Sequence, residues 1–331
     1  MSDLVLEVSD LKTQFNTENG VVTAVDRVSF SIKKGETLCI VGESGCGKSV
    51  TSMSILKLLP KHVGIYGGGQ VHFKGRDILQ LTDEEMCQVR GKEIAMIFQD
   101  SMTALNPVLT IGKQLMETIG VHQKLCKEER RAKAIRLLEK VGIPSPEYRM
   151  KEYPHEISGG MRQRVMIAMA LASDPSLLIA DEPTTALDVT IQAQIIELMQ
   201  ALKKETGAAI LLITHDLGVV AEMADTVLVM YAGQVMEYAD TRSIFKEPKH
   251  PYTRGLMASI PRLDKDVDTL FTIKGTVPSL QDLPKGCRFC ERCPDAEPIC
   301  GRQEPPMCDV GQAQVKCWKY ADSQGGSMDE H

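Results

Sequence analysis

The chain has 331 residues, of which 43% are hydrophobic and 25% charged, and a formal net charge of −6. That length can bury a large core and suggests two domains, while an acidic balance without a basic block argues against DNA or RNA as the main partner. The longest apolar run, Val165 to Ala172, is far short of a membrane span, and the start MSDLVLEVSD lacks a positive region followed by an apolar stretch. The chain is therefore expected to be made in the cytosol and to stay there, reaching a membrane only through a partner.

From Leu4 to Ile40 apolar and polar residues alternate, which predicts strands of a mixed or antiparallel sheet ending in a buried strand, with Asn19-Gly20 as a hairpin turn. After Ser49 the run VTSMSILKLL is helical, and Gly67-Gly68-Gly69 is expected to break the chain before a short strand pair around Val71 and Ile78. From about Thr103 to Ala172 the pattern becomes helical. Within it EERRAKAIRLLEKVGI has apolar residues at helical spacing, with Gly142 and Pro144 marking its end. This helical insertion divides two strand-bearing portions.

The α/β pattern resumes with LLIA (177–180), a helix from about Thr190 to Thr206, the strand AAILLIT, a helix from Asp216 to Ala224, and a closing hairpin in TVLVMYAGQVMEYA. Residues 241–285 are dotted with proline and weakly periodic, and the tail DSQGGSMDEH is expected to be disordered. The expected division is residues 1–240 and 241–331, with the boundary near Asp240. Four cysteines are scattered (Cys39, Cys46, Cys87, Cys126) and the other six of the ten crowd into residues 287–317. In a chain without an export signal such a cluster points to metal rather than to disulfides.

Residues 42–49 fit the phosphate-loop pattern G-x-x-x-x-G-K-[ST]: Gly42, Glu43, Ser44, Gly45, Cys46, Gly47, Lys48 and Ser49, with Val50 next to them. The glycines let the backbone curl so that N–H groups face phosphate, and the helix that follows adds its dipole. Lys48 is expected on the β/γ oxygens and Ser49 on Mg²⁺. Cys46 reads as a small inert residue whose oxidation or alkylation would block phosphate binding.

LLIADE (177–182) puts Asp181 at the carboxyl edge of a buried strand, where it would contact Mg²⁺ through water. Glu182 follows as the general base for the attacking water. Gln99, in MIFQD, would sense the γ-phosphate or the metal, and His215, in LLITHD, would hydrogen-bond the γ-phosphate. Taken singly, each of these two reads more readily as an ordinary polar residue at a strand end; their order along the chain with the other motifs changes that.

These motifs, in this order, resemble the nucleotide-binding subunit of an ATP-binding-cassette (ABC) transporter. The order is Walker A (42–49), Q-loop Gln99, signature ISGGMRQ (157–163), Walker B (177–182), D-loop Ala186-Leu187-Asp188 and switch His215. The signature departs from the usual LSGGQ at Ile157 and Met161, keeping its serine and glycines.

The resemblance covers about residues 4–240. It implies a P-loop cassette core of α/β class with an antiparallel β subdomain, an inserted helical subdomain and a small Cys-rich extension. It implies that Ser158, Gly159, Gly160 and Asp188 complete the ATP site of a second cassette, and it puts Phe15 on adenine, where a plain core phenylalanine fits equally. ATP would favour the closed dimer, and hydrolysis would reopen it.

Four stretches (101–117, 153–172, 180–195 and 250–264) and the segment 275–294 resemble the ATPase subunits of bacterial oligopeptide and dipeptide permeases. That resemblance implies a second, different ATPase subunit, two membrane permease subunits docking near Thr103 to Pro107, a peptide-binding protein, and a seat on the cytoplasmic face of the membrane. Importers of nickel and metal chelates are close cousins, and a soluble cassette ATPase of translation or DNA repair is the reading from another class. The same group carries a [4Fe-4S] cluster in this region, which implies Cys287, Cys293, Cys300 and Cys317 as ligands, with Cys290 and Cys308 as bystanders. Zinc held by four cysteines remains chemically as reasonable. A third reading makes the cluster a redox sensor acting on the ATPase.

Overall fold

The computed structural model describes residues 3–99, 104–185, 187–260 and 271–324. Thr103, Ala186, the end of the 250–264 stretch from residue 261, and the tail from residue 325 lie outside the described residues. The chain divides into two compact units. The first comprises the chain up to Glu7, Ser31–Thr37 and His72–Ile213, and the second Val8–Phe30, Leu38–Val71 and the chain from Thr214 onward.

In the first unit β6 (Ile94–Ile97), β7 (Leu177–Asp181) and β8 (Ala209–Ile213) pair side by side in parallel. Every residue of β7 and β8 is buried, as an apolar strand covered on both faces requires. Between β6 and β7 lie the helices of the insertion: α3 (Ile111–His122), α4 (Lys127–Lys140), α5 (Pro146–Arg149) and α6 (Gly159–Ala170). They follow α1 (Lys48–Ile55) and α2 (Asp83–Val89) in the chain.

α4 begins where Glu129 accepts the Cys126 N–H at 2.8 Å and ends before Gly142, whose φ is +72°. Ala134, Leu137 and Leu138 form its buried stripe, which matches the helical spacing of EERRAKAIRLLEK. α7 (Val189–Thr206) begins on Asp188, whose side chain accepts from Ile191 N, and stops at Gly207 in the left-handed region.

The second unit holds the strand order β11-β12-β10-β9-β3, from Met307–Val310, Ala313–Lys316, Gln234–Asp240, Thr226–Tyr231 and Thr37–Val41 respectively. β3 runs parallel to β9, and β9 and β10 form the predicted antiparallel hairpin. Strands β1 (Leu4–Thr17) and β2 (Gly20–Lys33) are neighbours joined at the predicted turn, and β4 (Gly64–Phe73) lies beside β1. β4 ends in the first unit, where His72 and Phe73 pair with β5 (Arg76–Asp77).

Two expectations are corrected here. Gly67-Gly68-Gly69 does not break the chain but lies inside β4. At Gly69, with φ +88°, a Cβ would stand 2.5 Å from the Asp10 carbonyl, so the glycines allow the strand to press against β1. Ile78 opens a 3₁₀ turn rather than a strand, because Asp77 caps it by accepting the Leu79 N–H.

The proline-dotted stretch also carries structure: α9 (Thr241–Lys246) and α10 (Pro251–Ala258), the latter with Pro251 in its first turn. α8 (Leu217–Met223) precedes both. The last strands are part of the sheet, since Val315 pairs with Glu237 and Gln314 with Tyr238.

Candidate active site

In the second unit β3 is buried throughout and ends at Val41, where the phosphate loop begins. Gly42 has φ +153°, and a Cβ there would lie 2.2 Å from the Met230 carbonyl of β9. Gly45 and Gly47 also have positive φ, at +79° and +102°. No L side chain fits such a curl without moving backbone. Gly42→Ala is therefore expected to cost at least about 2 kcal/mol of stability and to abolish nucleotide binding, read by thermal melting and by titration with a fluorescent ATP analogue.

Lys48, 6% exposed, directs its ammonium into the curl, donating to the carbonyls of Gly42 at 2.8 Å and Glu43 at 3.1 Å, with Cys46 Sγ at 3.9 Å. Burial pushes the Cys46 thiol pKa up, so it stays protonated, in keeping with an inert residue. Ser44 and Gly45 are exposed at the loop tip, while Ser49 and Val50 are half-buried on α1. Gly47 caps α1 without a side chain, and no acidic residue sits in the first turn, so the helix start suits an anion. Phe15 is half-buried on β1, and His215 is exposed two residues beyond β8.

In the first unit the carboxyl ends of the parallel strands carry the polar residues. Asp181, 4% exposed, is the last residue of β7. Glu182 follows with φ +46°, a left-handed backbone that costs a non-glycine residue roughly 1–3 kcal/mol. It is held there by the Glu182 N–H donating to Ile213 O at 2.8 Å. Its Oε2 accepts from Gln99 Nε2 and from Thr185 Oγ1, each at 2.9 Å. Gln99 is exposed just beyond β6, so the two strand ends deliver a carboxylate and an amide to one point.

Ser158 caps α6, accepting the Met161 N–H at 3.3 Å, and Gly159 and Gly160 form the first residues of that helix. A Cβ on Gly160 would meet Ile191 of α7 at 2.8 Å, which brings the signature beside the helix that Asp188 caps.

The sequence-predicted residues thus fall into two groups. Lys48, Ser49 and the loop glycines share the second unit with Phe15 and His215. Asp181, Glu182, Gln99, Ser158, Gly159, Gly160 and Asp188 share the first. Sequence reasoning missed Thr185, although a hydroxyl three residues past Glu182 in a turn is a local signal. It also missed Tyr252 and Arg292, which reach Glu43 from 209 and 249 positions away and leave no local signal.

Cys287, Cys290, Cys293, Cys300 and Cys317 line one cavity of about 20 Å³, while Cys308 lies on β11 and is not among its lining. Cys290, expected to be a bystander, lines the same cavity as those four. Burial pushes Cys287 up to about 12 and Cys293 to about 11, so each thiol keeps its proton near neutral pH. Among the described residues no group of three or more His, Cys, Asp or Glu side chains is arranged to hold a metal ion.

Comparison with known proteins decides the family. Residues 25–185 match the model of the ABC transporter family, and residues 236–300 match the oligopeptide/dipeptide transporter C-terminal region. The oligopeptide transport ATP-binding protein of Bacillus subtilis is 55% identical over 95% of this chain and 88% of its own length. The chain belongs to the ATP-binding subunits of ABC transporters, in their oligopeptide/dipeptide group. The dipeptide transport ATP-binding protein of Bacillus subtilis is 52% identical over 95% of this chain and 94% of its own, and the oligopeptide transport ATP-binding protein of Escherichia coli is 53% identical over 96% and 94%.

Among solved structures, a dimeric ATP-binding cassette in a post-hydrolysis state with ADP and phosphate matches with a TM-score of 0.65 at 28% identity. It covers 72% of this chain and 99% of that one. A cassette from Clostridium perfringens, part of an ABC transporter complex, matches with a TM-score of 0.63 at 28% identity, over 74% and 92% of the two chains. An ABC-family ATPase binds ATP with Mg²⁺, and the curled loop, the buried Lys48 and the strand-end carboxylates fit both. Among the described residues no helix is long and apolar enough to cross a membrane.

Proposed function

We propose that this ABC ATPase energises the import of oligopeptides and dipeptides by a bacterial permease. It would pair with a second, homologous ATPase subunit beneath two membrane subunits, on the cytoplasmic face of the membrane, with peptide delivered by an extracytoplasmic binding protein. The cargo follows from the relatives, whose names specify oligopeptide or dipeptide transport. The observation that carries the ATPase chemistry is the Glu182 carboxylate, aimed by a left-handed backbone and gripped by Gln99 and Thr185 at 2.9 Å.

Mg²⁺, when bound, would supply neutralisation of the charge on the transferred phosphate. The chain's own residues do the rest. Gly42 to Ser49 turn N–H groups to the phosphates, Lys48 moves its ammonium from the loop carbonyls to the β/γ oxygens, and Val50 continues the site along α1. Ser49, Gln99 and Asp181 would hold the cation. Glu182 accepts the proton of the attacking water, and His215 hydrogen-bonds the γ-phosphate. Phe15 stacks on adenine. Ser158, Gly159, Gly160 and Asp188 serve the ATP held by the partner subunit, a reading supported by the dimer seen in the post-hydrolysis cassette.

The chain would work in two parts. Residues 1–240 would form the cassette, with its helical insertion at about 103–172, and residues 241–331 the extension, a reading supported by the two families matched in turn, over residues 25–185 and 236–300. The extension would hold a [4Fe-4S] cluster on Cys287, Cys293, Cys300 and Cys317, or Zn²⁺ on the same thiols, with a structural role. What supports this is the single cavity their side chains share. Metal binding would have to displace the thiol protons and draw the sulfurs together.

Gentle affinity purification from membranes tests the assembly and the metal together. Recovery of two multi-span subunits and a second ATPase, with about four irons per chain, is the expected result. Zinc or no metal would remove the cluster, and recovery of ribosomes or repair factors would remove the importer. A nickel-chelate importer would instead show itself by uptake of the chelate, not of peptide.

A further inference from the structure

Arg292 lies in the 3₁₀ turn Cys290–Arg292, far from the cassette motifs in sequence, yet its guanidinium meets the phosphate loop. Its side chain is 6% exposed, and all three of its nitrogens donate. Nη1 and Nη2 grip Glu43 Oε2 and Oε1 at 2.5 and 3.0 Å. Nε donates to the Lys274 carbonyl at 3.0 Å, and Nη2 also donates to that of Ile273 at 3.3 Å. Nη1 further reaches Tyr231 Oη at 3.3 Å, and the guanidinium carbon stands 5.6 Å from the centroid of that ring.

Glu43 is held by its backbone as well. Its N–H donates at 3.0 Å to the Oη of Tyr252, which is wholly buried. Tyr252 is fixed by its ring: Tyr231 and Phe289 pack on it with centroids 4.8 and 5.3 Å away. All of these residues belong to the second unit.

Glu43 is the second residue of the loop that receives a triphosphate. An uncompensated carboxylate there repels the ligand, and a mobile one lets the loop leave its curl. A bidentate guanidinium removes both costs, because it cancels the charge and fixes the geometry. A guanidinium stays charged at any physiological pH, so the neutralisation is permanent.

We propose that Arg292 and Tyr252 are positioning residues for the phosphate loop, holding and neutralising Glu43 so that the carboxy-terminal half of the chain sets its affinity for ATP. This rests on the reading of residues 42–49 as the triphosphate site. The turn that carries the guanidinium also carries Cys290, and Cys293 follows it, so the loop and the sulfur-lined cavity share one short segment.

The test is titration of the full chain, with Mg²⁺, against a fluorescent ATP analogue, alongside thermal melting. Arg292→Ala is expected to weaken binding about tenfold, a change of ~1.4 kcal/mol, and Arg292→Lys, which keeps the charge without the fork, about threefold. Adding Glu43→Gln to Arg292→Ala removes the uncompensated carboxylate and should restore affinity to within about threefold of the unmodified chain, the cost left by the missing fork, whatever the melting temperature does. Wild-type affinity in Arg292→Ala, or a double variant as weak as the single one, overturns the proposal.

Should Arg292→Ala not fold, Tyr252→Phe decides, since it keeps the ring and deletes only the acceptor. Affinity about threefold weaker supports the proposal, and unchanged affinity overturns it. Lys48→Ala is the control: if it too binds as the unmodified chain does, the triphosphate reading of the loop fails, separately from the role of Arg292.

Discussion

Glu182→Gln is expected to lower the kcat of ATP hydrolysis roughly 10²–10⁴-fold while leaving ATP binding intact. The amide is isosteric and can still accept from Gln99 and Thr185 through its oxygen, which both reach at 2.9 Å in the unmodified chain. What it cannot do is take a proton from water. The left-handed φ of +46° at this position suits Gln as well as Glu, so the substitution tests chemistry rather than folding. In the proposed assembly, binding without hydrolysis would accumulate a closed dimer, because ATP would favour that state and nothing would reopen it. Steady-state phosphate release and nucleotide affinity, measured on the same preparation, check the claim. Normal turnover would remove Glu182 as the base.

Lys48→Ala is expected to act on binding itself, weakening ATP by roughly 10- to 150-fold. That range corresponds to the loss of one charge-assisted hydrogen bond, about 1.5–3 kcal/mol. Lys48 is 6% exposed and tethered to the Gly42 and Glu43 carbonyls at 2.8 and 3.1 Å, so the ammonium is held inside the curl before the ligand arrives. Its removal therefore takes away a prepositioned charge. Titration with a fluorescent ATP analogue reads the effect, and a turnover defect with unchanged affinity would contradict it. The two substitutions separate the steps: one loses catalysis with binding kept, the other loses binding first.

The carboxy-terminal extension gives a less dramatic but more diagnostic signature. Burial keeps the Cys287 and Cys293 thiols protonated well above neutral pH, so loading a metal there must release protons and becomes more favourable as pH rises. Metal content after reconstitution is accordingly expected to increase from pH 6 to pH 8. A flat profile would argue that these two thiols are not ligands.

Much of this protein was determined by short-range features of the chain. The apolar strand leading to Asp181-Glu182, the helix from about Thr190 to Thr206 and the helical spacing of EERRAKAIRLLEK rest on features within a few residues of themselves. They therefore read correctly without tertiary knowledge. Gly67-Gly68-Gly69 misled for the opposite reason. Alone, three glycines favour a break, and only the approach to Asp10 on β1 turns them into strand.

The tertiary structure alone decided which distant groups meet. Gln99 joins Glu182 across 83 positions, Arg292 joins Glu43 across 249, β12 completes the sheet on β10, and Cys290 rather than Cys308 shares the cavity of the other cysteines. The physical reason is the same in each case. A hydrogen bond or ion pair depends on where the folded backbone delivers two side chains, and that is set by the packing of strands and helices far apart in sequence. The sequence names the phosphate loop, the carboxylate proposed as the base and the family; the fold determines what holds that loop and aims that carboxylate.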